Sequence, residues 1–210
     1  MIKNIIFDFG GVLLDIDMQR SFDAIGQLLG KSLDIQHLPE EESNLIQSLE
    51  TGKISAESFI WHIQQKMKNP GEGIEIIRAW NAMLIGWNPE RFQFLINLKN
   101  KYRTFLLSNT NSIHLNWVYQ DLKNNHQITD FDVQFFEKTY YSHLIGMRKP
   151  NAEIYEFVIK DASLNPSETM FIDDHPDNIR MAESLGIHVF LHNPKNEIIN
   201  IFHKNGWSWG

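Results

Sequence analysis

The chain contains no cysteine, which excludes disulfides, thiolate nucleophiles and thiol-rich metal sites together. No apolar run approaches the roughly 20 residues that cross a bilayer. Ile2–Asp8 begins without a charged leader, a long apolar stretch or a small-residue cleavage site, so no signal peptide is read. A soluble, cytoplasmic protein with no membrane partner is the expectation. Positive charge is also scarce: 19 Lys and Arg stand against 26 Asp and Glu, a net charge of -7. Nucleic-acid phosphates demand basic patches, so this balance argues against DNA or RNA as a partner. It leaves room for a phosphorylated small molecule, because a metal ion reverses the field locally. Internal repeats, low-complexity tracts and Pro/Gly-rich linkers are missing too. Apolar residues, by contrast, make up 42% of the chain and aromatics 12%, which is enough for a sizeable core and excludes disorder.

Short apolar runs ending in polar residues recur along the chain. They are Ile5-Ile6-Phe7 before Asp8, Phe105-Leu106-Leu107 before Ser108, and Met170-Phe171-Ile172 before Asp173. Val189-Phe190-Leu191 follows Gly186, and Thr139-Tyr140-Tyr141 is a weaker fifth. Runs this short suit strands buried on both faces, as in a parallel sheet. Between them lie amphipathic segments. Asn151–Ala162 places Ile154, Phe157 and Val158 at helical spacing, and Pro176–Leu185 does the same with Ile179, Ala182 and Leu185 before Gly186 stops it. The alternation predicts an α/β fold with an open parallel sheet.

One gap breaks the alternation. Between the first run and the one at Phe105 lie the helix-like stretches Phe22–Leu29, Glu57–Met67 and Ile74–Leu84, with Ser55 and Ser58 placed to cap the middle one. A connection of this length inside one sheet is best explained by an inserted helical unit. Residues 17–87 are read as that insert, and residues 1–16 with 88–210 as the sheet-bearing core.

Ligands of open parallel sheets sit just outside the carboxyl ends of the strands. Polar residues directly after apolar runs therefore converge there: Asp8, Ser108 with Asn109, and Asp173 with Asp174. Lys149, in Gly146-Met147-Arg148-Lys149-Pro150, lies in a loop before the next helix. Carboxylates can hold a hard cation, while a hydroxyl and an ammonium can hold phosphate oxygens. Taken singly, each has a plainer reading. Asp8 could be a turn or cap residue, Ser108-Asn109 a helix cap, and Lys149 a solvated lysine. Asp173-Asp174-His175-Pro176 is a good helix start. The nine histidines show no zinc-like pairing. His114 reads as a packing or capping residue near Ser108, Trp61, Trp80 and Trp87 read as core of the insert, and Trp207 and Trp209 could pack on the body or meet a partner.

Taken in order, Asp8-Phe9-Gly10-Gly11-Val12, Leu107-Ser108-Asn109-Thr110-Asn111, Lys149-Pro150 and Phe171-Ile172-Asp173-Asp174 resemble the four motifs of the haloacid dehalogenase superfamily. The match runs from Asp8 to Asn178. The resemblance implies a Rossmann-like core of about five strands with the Asp8 strand central. It also implies a helical cap of the first type, with Glu50-Thr51-Gly52-Lys53-Ile54-Ser55 as a cap element. More narrowly, Ser108-Asn109-Thr110-Asn111 with His114, the Gly146–Pro150 stretch, and Asp173-Asp174 with Asp177-Asn178 are similar to bacterial α-glucose-1-phosphate phosphatases.

The activity so implied is Mg²⁺-dependent phosphatase action on a small phosphorylated substrate. Asp8 would attack phosphorus and form an aspartyl phosphate. Mg²⁺ would be held by Asp8, the Gly10 carbonyl and the acids Asp173 and Asp174, with Asp174 the favoured direct ligand. Ser108 and the Asn109 amide would bind phosphoryl oxygens, Lys149 would neutralise developing charge, and Asp177 would support the metal site from behind.

One position departs from the pattern. Most phosphatases of the superfamily carry a second aspartate two residues after the nucleophile, as acid and then base, and here Gly10 stands there. Loss of such help costs about 10²–10⁴-fold in rate. The anomeric oxygen of a sugar 1-phosphate leaves more readily than an ordinary alkoxide, which fits the glucose-1-phosphatase resemblance. Asp15, Asp17 and His175 are the candidates for a base. Two other readings compete: a 2-haloacid dehalogenase, which needs no metal, and a catalytically weakened phosphate-binding or regulatory protein.

Overall fold

A computed structural model describes residues 1–69 and 71–204, with the side chains of His203 and Lys204 left aside; Trp207 and Trp209 lie outside the described residues. The first run becomes strand β1 (Asn4–Phe7), wholly buried. A short strand β2 (Asp15–Ile16) follows, then four helices: α1 (Met18–Leu29), α2 (Glu40–Glu50), α3 (Ala56–Lys66) and α4 (Gly73–Asn81). The short strand β3 (Leu84–Gly86) returns the chain to α5 (Glu90–Lys99), β4 (Arg103–Ser108), α6 (Ser112–His126), α7 (Phe131–Phe135) and β5 (Lys138–Tyr141). Then come α8 (Ser142–Ile145), α9 (Ala152–Asp161), β6 (Thr169–Asp173), α10 (Pro176–Ser184), β7 (His188–Leu191) and α11 (Ile198–Lys204).

All five apolar runs are strands of one parallel sheet in the order β5-β4-β1-β6-β7, with β1 in the middle. Two apolar layers cover its faces. One gathers Phe7, Phe94, Leu106, Phe131 and Phe202, and the other Ile6, Phe105, Tyr155, Val158 and Phe171. Burial of this kind contributes about 1.5–3 kcal/mol per large side chain before entropy is counted.

The four helices after β2 build a separate apolar cluster around Phe22, Ile25, Leu49, Phe59, Ile76 and Trp80. Asp17 caps α1 by accepting from the Gln19 amide, Gly30 ends it at φ 65, and Ser55 caps α3 by accepting from the Ser58 amide. The helix predicted over Ile74–Leu84 stops at Asn81, because Leu84 pairs instead with Ile16 in the antiparallel β2–β3 couple. The Ser21 hydroxyl fixes this crossing by donating to the Trp80 carbonyl (2.5 Å) and accepting from the Met83 amide (2.9 Å). Among the described residues, no helix is long and apolar enough to cross a membrane.

Candidate active site

Because β1, β4 and β6 run parallel and side by side, their carboxyl ends deliver Asp8, Ser108 and Asp173 to one edge. Asp8 stays in register, its amide donating to the Ile172 carbonyl at 2.8 Å. Past it the chain turns sharply, with the Leu13 and Leu14 amides both donating to the Phe9 carbonyl (2.8 and 2.9 Å). Gly11 takes φ +80 in this turn, and a Cβ there would lie 2.4 Å from Asp174 Oδ2. Glycine is required twice over, for the left-handed backbone and for the close approach of a carboxylate.

Lys149 is the hub. Its ammonium donates to Asp8 Oδ1 (2.5 Å), Asp173 Oδ2 (2.7 Å) and the Leu107 carbonyl (2.9 Å), which uses all three protons. The side chain is 1% exposed. The Asn109 carboxamide locks the lysine's backbone from both sides, its Nδ2 donating to the Lys149 carbonyl and its Oδ1 accepting from the Lys149 amide, each at 2.9 Å. Ser108, 3% exposed, ends β4 alongside. Behind it, Asn111 caps α6 by accepting from the Ile113 and His114 amides.

The two neighbouring aspartates differ. Asp173 is fully buried, and both its oxygens are occupied: Oδ1 accepts from the His175 amide and Asn178 Nδ2, and Oδ2 from Lys149 and the same Nδ2. Asp174 is only partly buried, with its carboxylate against Gly11. Oxygens of Asp8, Asp173 and Asp174 lie within 4.8 Å of one another. Burial pushes Asp8 up to about 7, with Lys149 opposing and the two other acids adding to the rise. Burial, then Asp173, raises Asp174 as well. Burial alone would lower Lys149, but Asp173 and Asp8 outweigh it and hold the ammonium above its ordinary range.

Three crowded carboxylates against one ammonium make a pocket of hard oxygen donors with excess negative charge. The glycine that lets Asp174 approach adds to it, and the donor set fits Mg²⁺.

Several expected residues sit elsewhere. Asp177, expected behind the metal site, is half-exposed and pairs with Arg180, and it is Asn178, one residue on, that reaches Asp173. The helical turn decides this: only one of two adjacent positions can face inward. Asp15 is paired with Arg91 (2.7 Å), Asp17 caps α1, and His175 caps α10, so each candidate base is engaged with other groups. A Cβ on Gly10 would meet Ile16 Cδ1 at 2.9 Å, so an apolar side chain packs against the position where a second aspartate would stand. His114 is buried, stacks on Trp80 with ring centroids 5.2 Å apart and bonds Asn81 Oδ1 at 2.8 Å. Burial lowers it to about 3, so its ring is neutral. Trp61 is 55% exposed, and Trp87 packs on Phe9 of the core rather than inside the insert. The Asn109 clamp was not predicted, since no local pattern marks a carboxamide whose partner is 40 residues away, and the Asn178 support was not predicted because the phase of α10 was not known.

The parallel sheet, the insertion after β1 and the acid–lysine cluster at its edge define a haloacid dehalogenase-type hydrolase. A family model described as haloacid dehalogenase-like hydrolase matches residues 2–186, and the chain belongs to that family. It is 32% identical over 192 residues to D-ribitol-5-phosphate phosphatase of Bacteroides thetaiotaomicron, covering 90% of this chain and 91% of that one. It also resembles a haloacid dehalogenase family enzyme from the same organism solved with magnesium and inorganic phosphate. That match has a TM-score of 0.83 and 31% identity, over 96% of this chain and 100% of that one. A predicted hydrolase of the family from Porphyromonas gingivalis gives a TM-score of 0.86 at 30% identity, with 99% of each chain covered. The chain is a phosphoric monoester hydrolase of this superfamily, with Mg²⁺ as its cofactor. Its likeness to a 2-haloacid dehalogenase of Pseudomonas syringae, at 18% identity and a TM-score of 0.60, is one of fold.

Proposed function

We propose that the chain hydrolyses a small sugar or sugar-alcohol phosphate through an aspartyl phosphate at Asp8, with residues 17–87 as the cap. The observation that carries this reading is the ammonium of Lys149 held between Asp8 and Asp173 in a buried pocket. Asp8 attacks phosphorus, the bond to the leaving oxygen breaks, and that oxygen departs with its electron pair and takes a proton from solvent. Water then attacks the same phosphorus, releasing phosphate and restoring the carboxylate. Lys149 neutralises charge as it builds on the phosphoryl group, and the Ser108 hydroxyl and Asn109 amide bind phosphoryl oxygens. Asp8, Asp174 and the Gly10 carbonyl would hold the metal directly, because Asp173 already accepts two hydrogen bonds on each oxygen. Bound there, Mg²⁺ supplies the positive charge that lets a carboxylate approach a phosphate dianion.

Two observations point to the substrate class. The first is the similarity to a ribitol-5-phosphate phosphatase. The second is Gly10, which carries no carboxyl to protonate the leaving group and has the apolar Ile16 packed against it; this favours a leaving oxygen as acidic as that of glucose 1-phosphate. Phosphate release from a panel containing α-glucose 1-phosphate and ribitol 5-phosphate, with Mg²⁺, with chelator and with Asp8→Asn, tests the reading. Turnover that needs metal and Asp8 is the expected result, and preference for one ester decides between anomeric and primary alcohol. Folded, Mg²⁺-loaded protein that releases phosphate from neither class would overturn the substrate proposal.

A further inference from the structure

The turn that follows Asp8 carries two features on which the metal site depends, the Gly10 carbonyl and the gap over Gly11 that admits Asp174. Within the turn, the Gly11 amide donates to the Leu14 carbonyl (2.9 Å), and the Leu13 and Leu14 amides share the Phe9 carbonyl. Leu13 has no exposed surface, so its own carbonyl needs a partner too. That partner is Arg91, whose Nη1 donates to it at 3.0 Å.

Arg91 lies in the first turn of α5 and is 6% exposed. The same Nη1 donates to Asp15 Oδ1 at 2.7 Å, and Nε and Nη2 donate to the two oxygens of Glu197, each at 3.0 Å. Asn88 Nδ2 holds Glu197 Oε2 from its other side (2.9 Å). One planar cation thus joins the turn, β2, the start of α5 and the residue before α11. A guanidinium can do this because its donors leave in fixed directions in one plane, a fork that an ammonium of the same charge does not reproduce.

Two routes lead from Arg91 to Gly10. One runs through the Leu13 carbonyl into the turn itself. The other runs through β2, where neighbouring side chains point to opposite faces: Asp15 meets Arg91, and Ile16 packs on Gly10. None of the guanidinium's bonds goes to Asp8, Asp173 or Asp174. We propose, on the basis of the metal site read above, that Arg91 is a positioning residue for Mg²⁺. Its guanidinium fixes the turn and β2 so that the Gly10 carbonyl and the Gly11 gap stand where the ion needs them. Asp15 then serves to seat the guanidinium rather than to move protons.

Mg²⁺ binding to the full-length protein, measured by calorimetry where melts show each variant folded, tests this without turnover. Arg91→Lys keeps the charge between Asp15 and Glu197 but loses the fork, and should raise the Mg²⁺ Kd about tenfold or more. Arg103→Lys is the control. Arg103 also forks onto a carboxylate, Glu137, and reaches a carbonyl, that of Ala162, but at the far end of β4 from the site. Its Kd should stay within about twofold of the parent value. If Arg91→Lys does not fold, Glu197→Gln decides, since it spares the guanidinium but takes away one of its acceptors; a smaller loss of affinity is expected there. Parent-like affinity in the deciding variant would overturn the proposal, as would an equal loss in Arg103→Lys. Asp174→Asn tells two failures apart. Unchanged Mg²⁺ affinity in it would overturn the metal site and the role of Arg91 together, whereas weakened binding there with parent-like Arg91→Lys would overturn the role of Arg91 alone.

Discussion

The sheet edge and the insert spend their buried residues differently. At the sheet edge, three ionisable side chains and two carboxamides are buried or half-buried in one connected set of hydrogen bonds around Lys149, with the Asp174 carboxylate close by. In the insert, burial is almost wholly apolar, with Ser21 and Asn81 as small polar fixings, the latter bonded to the neutral His114 of α6. An apolar cluster tolerates exchange of one large residue for another if volume is kept. The charged set is different: three carboxylates crowd one ammonium, so neutralising one relieves repulsion while removing a group the chemistry needs. Core-edge substitutions should therefore show in turnover and insert substitutions in stability, and this separation can be broken by measurement.

The largest effect is expected at the core edge. Asp8→Asn should lower phosphate release by a factor on the order of 10⁴ or more without lowering the melting temperature, since it removes one of three crowded carboxylates. A melting temperature that falls with activity would contradict the separation. In the insert, Trp80→Ala should cost about 3–5 kcal/mol in a denaturant titration, through loss of contacts with Phe59, Phe22 and His114. A loss under 1 kcal/mol would mean that this cluster is not what holds the insert together.

A smaller effect is expected at Gly11. The new Cβ of Gly11→Ala would press on Asp174 at a backbone angle that costs about 1–2 kcal/mol, so Mg²⁺ affinity by calorimetry should fall roughly tenfold with the fold intact. The smallest effect concerns pH. His114 is buried and neutral, lowered from 6.5 to about 3, so below pH 6.5 the unfolded chain binds a proton that the folded one refuses. Stability should then decline between pH 6.5 and pH 3, by at most on the order of 1 kcal/mol per pH unit from this residue. Thermal melts at pH 7.5 and 5.5 should show a shallower decline in His114→Gln than in the parent. Equal declines would assign the effect to other groups.

The same contrast governs how much could be read from sequence. The five strands were legible because each is a short apolar run closed by a polar residue, and the sheet edge followed because parallel strands end together. Asp8, Ser108, Lys149, Asp173 and Asp174 were legible as ordered motifs. Helix α2 was not: it opens with Glu40-Glu41-Glu42 and buries only Leu49 completely, so its apolar stripe is thin. The β2–β3 couple was missed because two- and three-residue strands carry no periodicity. Asp177 and Asn178 could not be told apart without the phase of α10. The Asn109 carboxamide and the Arg91 fork depend on meetings between distant segments, which residue spacing does not encode.

The two hydrogen bonds from Asn109 to the backbone of Lys149 also bear on how this chain can vary. They fasten the end of β4 directly to the lysine loop, a short cut across the 40-residue path between the two, which is held again at β5 and at Ser142. Its exposed turn at Gln127–Asp130 lies far along that path. Length can be added or removed there, and the surface of α6 and α7 recast, while the ammonium keeps its place over Asp8. One carboxamide thus separates the part of the chain that is free to diverge from the part that must stay in register.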